Sequence, residues 1–326
     1  MKAARYVDIM RRHAAAGATI STLPFTAGVP VPELTCSGIR SLLVAGLGLL
    51  AAAGLAACGD DPWNRPYPVK DAGSNILYSS FSDRPNHLDP AQSYSSNEIT
   101  FTGQIYEPPL QYHYLKRPYT LKPLAATQVP EPSSLDAAGN RLPADAPVED
   151  IARSVYEIEI QPGIRYQPHP AFARDADGRL RYHDLTASNL SGIYTLGDFD
   201  YKDTRELVAT DYVYQIKRLA HPRLHSPIFG LMSDYIVGLE DYARVLKQAW
   251  EKQSEGREDG VYLDLTRYPL AGVAVIDRYR YRVTVTGKYP QFLYWLAMPF
   301  FAPVPPEADA FYAQPGMKAR NITLDW

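Results

Sequence analysis

The stretch Gly272–Gly287, GVAVIDRYRYRVTVTG, alternates large and polar side chains along its second half. Every second residue from Tyr279 to Val285 is tyrosine or valine, and the residues between them are arginine or threonine. An alternation of period two is typical of a strand that buries one face. Asp277 and Arg278 interrupt this pattern, so the stretch predicts a β-hairpin with one buried face.

Two segments upstream of the hairpin have the period of an amphipathic helix. In ATDYVYQIKRLAHP, at 209–222, the apolar side chains form one stripe. Thr210 or Asp211 is expected to be the N-cap, and Pro222 is expected to end the helix. A second helix is predicted over 239–253.

Strand patterns are interspersed with these helices. SVYEIEI, at 154–160, alternates apolar and polar residues, and NILYSSF, at 75–81, is also predicted to be a strand. From Glu98 onward, EITFTGQIYEPPL predicts a short helix that stops at Pro108. Because helices and strands are mixed along the chain, the predicted class is α/β or α+β.

Composition argues against two kinds of chemistry. The 326-residue chain has a net charge of −3 and no Lys/Arg run interleaved with aromatic residues, so a nucleic-acid partner is not expected. Its two cysteines are Cys36 and Cys58, both upstream of the predicted body, which therefore has no disulfide and no thiol chemistry. The 24 tyrosines offer apolar area with a hydrogen-bonding tip, which suits binding of peptides or sugars.

An apolar run, LLVAGLGLLAAAGLAACGDD, precedes the body. The sixteen residues from Leu42 to Ala57 are fewer than the roughly 20 that a membrane-spanning helix needs, and they suit the core of a secretory signal. A buried helix of a cytosolic protein is the alternative. The last residues of the run, Leu-Ala-Ala-Cys, resemble the lipobox of bacterial lipoproteins, which implies cleavage before Cys58 and lipid on that cysteine. We therefore predict a leader and lipoprotein signal peptide over 1–57 and a tether over 58–74.

The order of the segments resembles that of family 5 extracellular solute-binding proteins, the oligopeptide- and dipeptide-binding components of bacterial ABC importers. The resemblance covers roughly 76–308 and rests on HLDPAQSYSSNEITFTGQIYEPPLQY, LKPLAAT, YEIEIQPGIRY, LVATDYVYQIKRLAHP and LAGVAVIDRYRYRVTVTGKYPQFLYWLAMPFFAPVPPEA. It implies a periplasmic-binding-protein type II-like fold, in which two lobes close around a peptide or other small solute. It also implies a monomer on the periplasmic side of the cell envelope, anchored to the membrane by lipid, that works with ABC permease subunits of the inner membrane.

Two features depart from the family pattern. The segment QPGIRYQPHPAFARDADGRLRYHDL, at 161–185, holds a long insertion, and the chain ends at Trp326, about where the family enters its other lobe. Residues 75–326 are therefore expected to be the N-terminal part of the solute-binding domain, with the second lobe missing. In that case the apolar side of 279–285 and the segment FLYWLAMPFF, at 292–301, would lack part of their cover.

The resemblance also places a ligand-facing loop after Asp89 and Pro90. By position, Tyr94, Ser95 and Ser96 fall where the family contacts the backbone of its ligand. Hydroxyls, free amides and a ring in one polar stretch suit that role, and a plain surface loop is the alternative. Asp89 is expected to accept hydrogen bonds from amides of its own turn, while the proline fixes the bend.

The residues give little support to an enzyme, a cofactor or a metal. His221 and His225 have a spacing that suits a metal on a helix, but Pro222 lies between them and no His-Glu-x-x-His pattern is present. Glu157 and Glu159 share one face of a strand like a pair of catalytic carboxylates, although a solvated face accounts for them. Neither a Gly-x-Ser-x-Gly motif nor a phosphate loop occurs.

Two other functions are compatible with the sequence. Tyrosines and carboxylates on an exported chain suit a glycan-binding or glycan-active lipoprotein. A truncated gene would give a relic that binds nothing. If the chain binds a solute, the sequence leaves the identity of that solute open.

Cys58 provides the first test. We expect cleavage between Ala57 and Cys58, so radiolabelled palmitate should enter the wild-type chain and not the Cys58→Ser chain, which lacks the acceptor thiol. Several acyl chains hold a protein firmly on a bilayer, whereas one holds it weakly. Equal labelling of the two chains would refute the lipoprotein interpretation.

Overall fold

The computed structural model describes residues 73–255 and 262–319, so the predicted leader, Cys58 and most of the tether lie outside the described residues. The helices in the described parts are α1 (Ser96–Ile105), α2 (Ala209–Arg218), α3 (Phe229–Tyr235), α4 (Leu239–Ser254), α5 (Phe292–Trp295), α6 (Pro306–Tyr312) and α7 (Pro315–Ala319). The strands are β1 (Leu110–Tyr112), β2 (Leu121–Pro123), β3 (Ser133–Leu135), β4 (Arg153–Glu159), β5 (Val273–Val275) and β6 (Arg280–Thr286). The mixed helix and strand class is confirmed.

An antiparallel four-stranded sheet, in the order β3-β4-β6-β5, is the framework of the fold. The predicted hairpin is its β5-β6 pair, and the predicted strand at 154–160 is β4. Residues on the inner face of neighbouring strands are directly opposite each other, as with Tyr156 and Val283, and Ile158 and Tyr281. All four side chains are buried, because period-two alternation turns every second residue toward the core.

Helix α2 packs on the buried face of this sheet. The ring of Tyr212 stacks on that of Tyr281, with centroids 5.4 Å apart and planes at 6°. The prediction of Thr210 or Asp211 as the N-cap is wrong, because the helix starts earlier and Val208 is the N-cap. Asp211 instead lies in the first turn and accepts a hydrogen bond from the Val208 amide at 3.1 Å. Helix α4 confirms the prediction for 239–253.

Two predictions near the start of the body need correction. Helix α1 begins at Ser96, two residues before the predicted start at Glu98. Residues 75–81 form no strand, and Leu77 and Phe81 are exposed. A strand needs a neighbour for its backbone groups, and β-forming residues alone do not supply one.

The segment predicted as an insertion folds into short turns with its own small core. This core joins residues of the segment that follows β4 to residues of α6 and α7, and its buried members are Ala171, Leu190, Phe199, Phe311 and Met317. The ring of His169 contributes as well, since its Nε2 atom lies 2.8 Å from the Tyr312 hydroxyl. The insertion is therefore attached to the C-terminal end of the described chain.

The expectation that the hairpin and the segment at 292–301 lack part of their cover is wrong for most of their large side chains, although Tyr294 is 44% exposed and Tyr279 is partly buried. Tyr281, Val283 and Val285 are buried, as are Phe292 and Phe301. Helix α2 and the segment itself supply the cover, within one large apolar core. Among the described helices, none is long and apolar enough to cross a bilayer.

Candidate functional site

The carboxylate of Glu98 organises the loop before α1. Its Oε1 atom accepts hydrogen bonds from the amides of Asn86 at 3.1 Å and His87 at 2.8 Å. Its Oε2 atom accepts from the amides of Tyr94 at 2.9 Å and Ser95 at 3.1 Å. Both ends of the loop are thus attached to one buried side chain in the first turn of the helix.

A buried ion pair fixes the middle of the same loop. Arg218, on α2, donates from Nη1 to Asp89 Oδ1 at 2.8 Å and from Nη2 to Asp89 Oδ2 at 2.6 Å. The two residues are 1% and 3% exposed, so almost no water reaches the pair. Asp89 also accepts a hydrogen bond from the Ala91 amide at 2.8 Å, which confirms its expected role in its own turn. A two-point contact of this kind sets both the position and the orientation of the loop.

The ion pair belongs to a larger polar network. Arg218 Nη1 donates to Gln215 Oε1 at 3.0 Å, and Gln215 Nε2 donates to the carbonyl oxygen of Phe300 at 2.9 Å. On the other side, Arg218 Nε lies 3.6 Å from Asp309 Oδ2, which also accepts from the Tyr214 hydroxyl at 2.6 Å. The network therefore connects the loop before α1 with α2, with α6 and with the segment around Phe300.

Asp89 and Glu98, the two carboxylates that hold the loop, are ionised at neutral pH. Burial raises the pKa of the Glu98 carboxyl, but the hydrogen bonds that it accepts, led by the one from the His87 amide, lower that pKa to about 2. Burial also raises the pKa of Asp89, and the charge and hydrogen bonds of Arg218 outweigh it, so the net shift is downward. The loop is built on two fixed negative charges with their partners in place.

The structure brings the three predicted ligand-contacting residues to the surface end of this framework. Tyr94 is 69% exposed, and its ring centroid lies 6.2 Å from that of buried Phe300. Ser95 is the N-cap of α1, and its hydroxyl donates to Asn97 Oδ1 at 2.6 Å. Ser96, the first helical residue, is exposed.

Sequence reasoning missed the residues beneath the loop. Phe300 and its neighbour Trp295, 6.5 Å away between ring centroids, lie in the segment FLYWLAMPFF, which the sequence marks only as apolar. Arg218 was missed because an arginine near the end of an amphipathic helix usually faces solvent. The one available signal was Asp89, because a buried aspartate requires a partner for its charge.

The residues of the two alternative chemical sites lie opposite arginines on the sheet or in a backbone turn. Glu157 and Glu159 are exposed and lie directly opposite Arg282 and Arg280 on β6, so this face of the sheet carries mixed charges. His221 Nδ1 accepts a hydrogen bond from a backbone amide in its own turn. Throughout 73–255 and 262–319, no three His, Cys, Asp or Glu side chains are placed to hold a metal ion.

Comparison with known proteins gives matches among solved structures only. No protein-family model and no curated protein matches the chain. The peptide-bound OppA of Listeria monocytogenes matches with 15% identity and a TM-score of 0.39, over 70% of this chain and 30% of that chain. The murein tripeptide binding protein MppA of Escherichia coli matches with 15% identity and a TM-score of 0.39, over 69% and 30%. DppA of Helicobacter pylori, in complex with the peptide STSA, matches with 16% identity and a TM-score of 0.35, over 67% and 28%.

The chain thus spans about 30% of the length of the solved structures that it matches.

Removing one member of the buried pair should destabilise the chain strongly. Arg218→Met leaves the Asp89 carboxylate buried without its cation, which we expect to lower the free energy of unfolding by about 3–5 kcal/mol. The measurement is urea unfolding of the full chain, followed by far-ultraviolet circular dichroism. Adding Asp89→Leu to Arg218→Met should recover part of the loss, because no unpaired charge then stays buried.

The matched control is Arg280→Met, which removes an arginine from an ion pair with Asp277 whose side chains are 49% and 44% exposed. Solvent screens such a pair, so the loss should be at most about 1 kcal/mol. Equal losses in Arg218→Met and Arg280→Met would contradict the importance of the buried pair.

The Glu98 carboxylate should make the free energy of unfolding of the chain depend on pH. Its pKa is about 2 in the folded chain against an ordinary value of 4.5, so the stability that it contributes is present above pH 4.5 and is lost as the pH falls toward 2. At neutral pH, Glu98→Gln should therefore lower the free energy of unfolding by about 1–3 kcal/mol.

The difference in unfolding free energy between wild type and Glu98→Gln is the quantity to measure. It should be constant above pH 4.5 and should shrink at lower pH, as this one carboxyl becomes protonated in the folded chain. A difference that does not change with pH would show that the shape of the side chain matters and its charge does not.

Proposed function

We propose that the chain belongs to an extracytoplasmic solute-binding protein that captures a peptide for import by an ABC transporter. The observation that carries this proposal is the loop before α1, which two buried carboxylates hold in place and which ends in exposed Tyr94, Ser95 and Ser96. The order of the sequence segments supports the proposal. The coarser role, binding of a small solute, rests on the same loop.

The chemistry of the loop suits the backbone of a peptide. A peptide backbone presents N–H donors and C=O acceptors at regular intervals, and a serine hydroxyl can accept from the one and donate to the other. Ser95 already donates to Asn97 and keeps only its acceptor role, and the amides of Tyr94 and Ser95, which were expected to be free, are bound by Glu98, so Ser96 is the serine that can do both. The Tyr94 ring adds apolar area, and its hydroxyl provides a further polar contact. Because Phe300 supports the ring from below, the ring loses little freedom when a ligand contacts it.

The framework also explains how affinity arises from a short loop. A flexible loop would lose conformational entropy on binding, and that loss would weaken the complex. Here the hydrogen bonds to Glu98 and the ion pair of Asp89 hold the loop before any ligand arrives. The binding energy of the ligand is then available for affinity.

The proposed cellular setting follows from the sequence. The chain is the N-terminal part of a monomer with a type II-like two-lobed fold, anchored by lipid on Cys58 at the periplasmic side of the envelope. Its partners are ABC permease subunits of the inner membrane, which receive the solute when the lobes open.

Tyr94→Ala tests the proposed contact. Because the proposal places the ligand between two lobes, the chain is tested together with the second lobe that the proposal implies. That protein is equilibrated by dialysis with a pool of random-sequence tetrapeptides, the retained peptides are identified by mass spectrometry, and the peptide that binds most strongly is measured by calorimetry. Tyr94→Ala should weaken the binding free energy of that peptide by about 1–3 kcal/mol, because the ring contact and its hydrogen bond are lost. Tyr194→Ala, which removes another exposed tyrosine far along the chain, is the control and should not change the affinity.

The same dialysis with chitooligosaccharides separates the two classes of ligand. Retention of sugars without peptides would favour a glycan-binding lipoprotein. Peptide affinity that is unchanged in Tyr94→Ala would reject the placement of the ligand at this loop. A chain that retains neither pool would contradict solute binding by these residues.

A further inference from the structure

The hairpin formed by β1 and β2 ends in a tip of exposed large side chains. Residues 114–120 are all exposed, and Tyr114, Leu115 and Tyr119 are 87%, 77% and 63% exposed. Soluble proteins tolerate single exposed apolar residues, but a contiguous group of them marks an interaction surface. The apolar side chains of this hairpin tip are not buried in the core, so their exposure requires another explanation.

Hydrogen bonds within the turn keep the tip in shape. His113 Nδ1 accepts from the amides of Leu115 at 3.2 Å and Lys116 at 3.3 Å. Arg117 Nη1 donates to the carbonyl oxygens of Tyr114 at 3.4 Å and Lys116 at 2.9 Å. These bonds fix the backbone of the turn, while the side chains of Tyr114 and Leu115 stay exposed.

Tyrosines surround the base of the tip. The rings of Tyr112 and Tyr119 meet edge to face with centroids 5.9 Å apart, and Tyr112 stacks on Tyr294 of α5 at 6.1 Å. Arg117 lies over the Tyr119 ring, 4.5 Å from its centroid. These contacts join the hairpin to α5, and Tyr112, Tyr119 and Tyr294 remain 39%, 63% and 44% exposed.

The charge of the hairpin is opposite to that of the whole chain. The chain carries a net charge of −3, yet residues 108–130 contain Lys116, Arg117 and Lys122 and no aspartate or glutamate. All three cations are exposed. Their field is therefore not neutralised within the segment, and it attracts an anionic partner.

We propose that the hairpin tip docks on the anionic headgroup layer of a lipid bilayer. Tyrosine rings are enriched at the depth of the headgroups, where the ring is in apolar surroundings and the hydroxyl is wet. Tyr114 and Leu115 enter the boundary between headgroups and acyl chains, and Lys116 extends toward lipid phosphates, while Arg117 stays over Tyr119 and adds its positive charge to the same tip. Each basic residue near an anionic membrane strengthens binding about fivefold.

The geometry favours lipid over a glycan. A sugar ring needs an open aromatic face, and the tip offers one only at Tyr114, because one face of Tyr119 is covered by Arg117 and Tyr112 is packed against Tyr119 and Tyr294. Sugar hydroxyls are also commonly bound by carboxylates, and the segment has none. An acidic protein would satisfy the charges but would not require the exposed Leu115.

Docking of the tip rests on the proposed periplasmic, membrane-side location and does not involve the solute loop. Lipid on Cys58 would hold the chain at the bilayer, and the tip would add a second and weaker contact that orients it. Two membrane signals bind far more tightly than one.

A fluorescent label at the tip tests the proposal in the full chain. Cys36→Ser and Cys58→Ser remove the native thiols and the acyl group, and Leu115→Cys carries an environment-sensitive nitrobenzoxadiazole dye. With vesicles of phosphatidylcholine and phosphatidylglycerol, the emission should shift to the blue and should be quenched by spin-labelled lipid. Val148→Cys is the matched control, because Val148 is an exposed apolar residue in an acidic turn, and its dye should stay in water.

Charge gives the second measurement. Adding Lys116→Gln and Arg117→Gln to the Leu115→Cys chain should raise the lipid concentration for half-maximal shift about 25-fold, and added salt should weaken binding of the parent. An unshifted dye at 115 would overturn the proposal, as would equal signals with vesicles of phosphatidylcholine alone. A shift caused by an acidic protein or a glycan and not by vesicles would assign the tip to that partner instead. None of these outcomes depends on peptide binding, so the two proposals fail separately.

Discussion

The buried ion pair between Asp89 and Arg218 is the contact on which the position of the loop before α1 depends. Taking two charges out of water costs several kcal/mol for each ion, and attraction compensates for this only when the geometry is good and the remaining hydrogen bonds are made. Here the contact is bidentate, Asp89 accepts an additional amide and Arg218 donates additionally to Gln215. The pair is therefore tolerated in the core, and losing either partner leaves a charge that water cannot reach.

The same pair links parts of the chain that are far apart in sequence. Asp89 and Arg218 are separated by 129 positions, and the network continues to Phe300 and Asp309. Apolar packing alone would allow the loop to slide on the core, because dispersion and hydrophobic contacts have little directionality. Directional bonds to a guanidinium fix one arrangement, in which Tyr94 lies over Phe300.

Local periodicity made much of the fold predictable, and long-range pairing made the rest unpredictable. The hairpin at 272–287 and the helices at 209–222 and 239–253 follow from period-two and period-3.6 patterns, which each segment carries by itself. The strand predicted at 75–81 is wrong because pairing depends on another segment. At the candidate site, resemblance suggested Tyr94, whereas burial of Arg218 had no local signal, since an arginine on a helix is usually solvated.

In the described residues, the tyrosine surfaces around Tyr94 and at the hairpin tip differ in whether their cations are paired, and this difference supports a different proposed partner for each. Beside Tyr94, Arg218 is buried and paired with Asp89, and the Glu98 carboxylate is bound by four backbone amides, so the site beside the ring has no exposed cation of this network. Such a site suits the neutral backbone of a peptide. At the hairpin tip, Lys116 and Arg117 remain in solvent without a carboxylate in the segment, so the tyrosines there lie in a positive field. A positive field gives no advantage in binding a neutral solute, but it attracts the negatively charged phosphates of a bilayer, as the proposed docking requires.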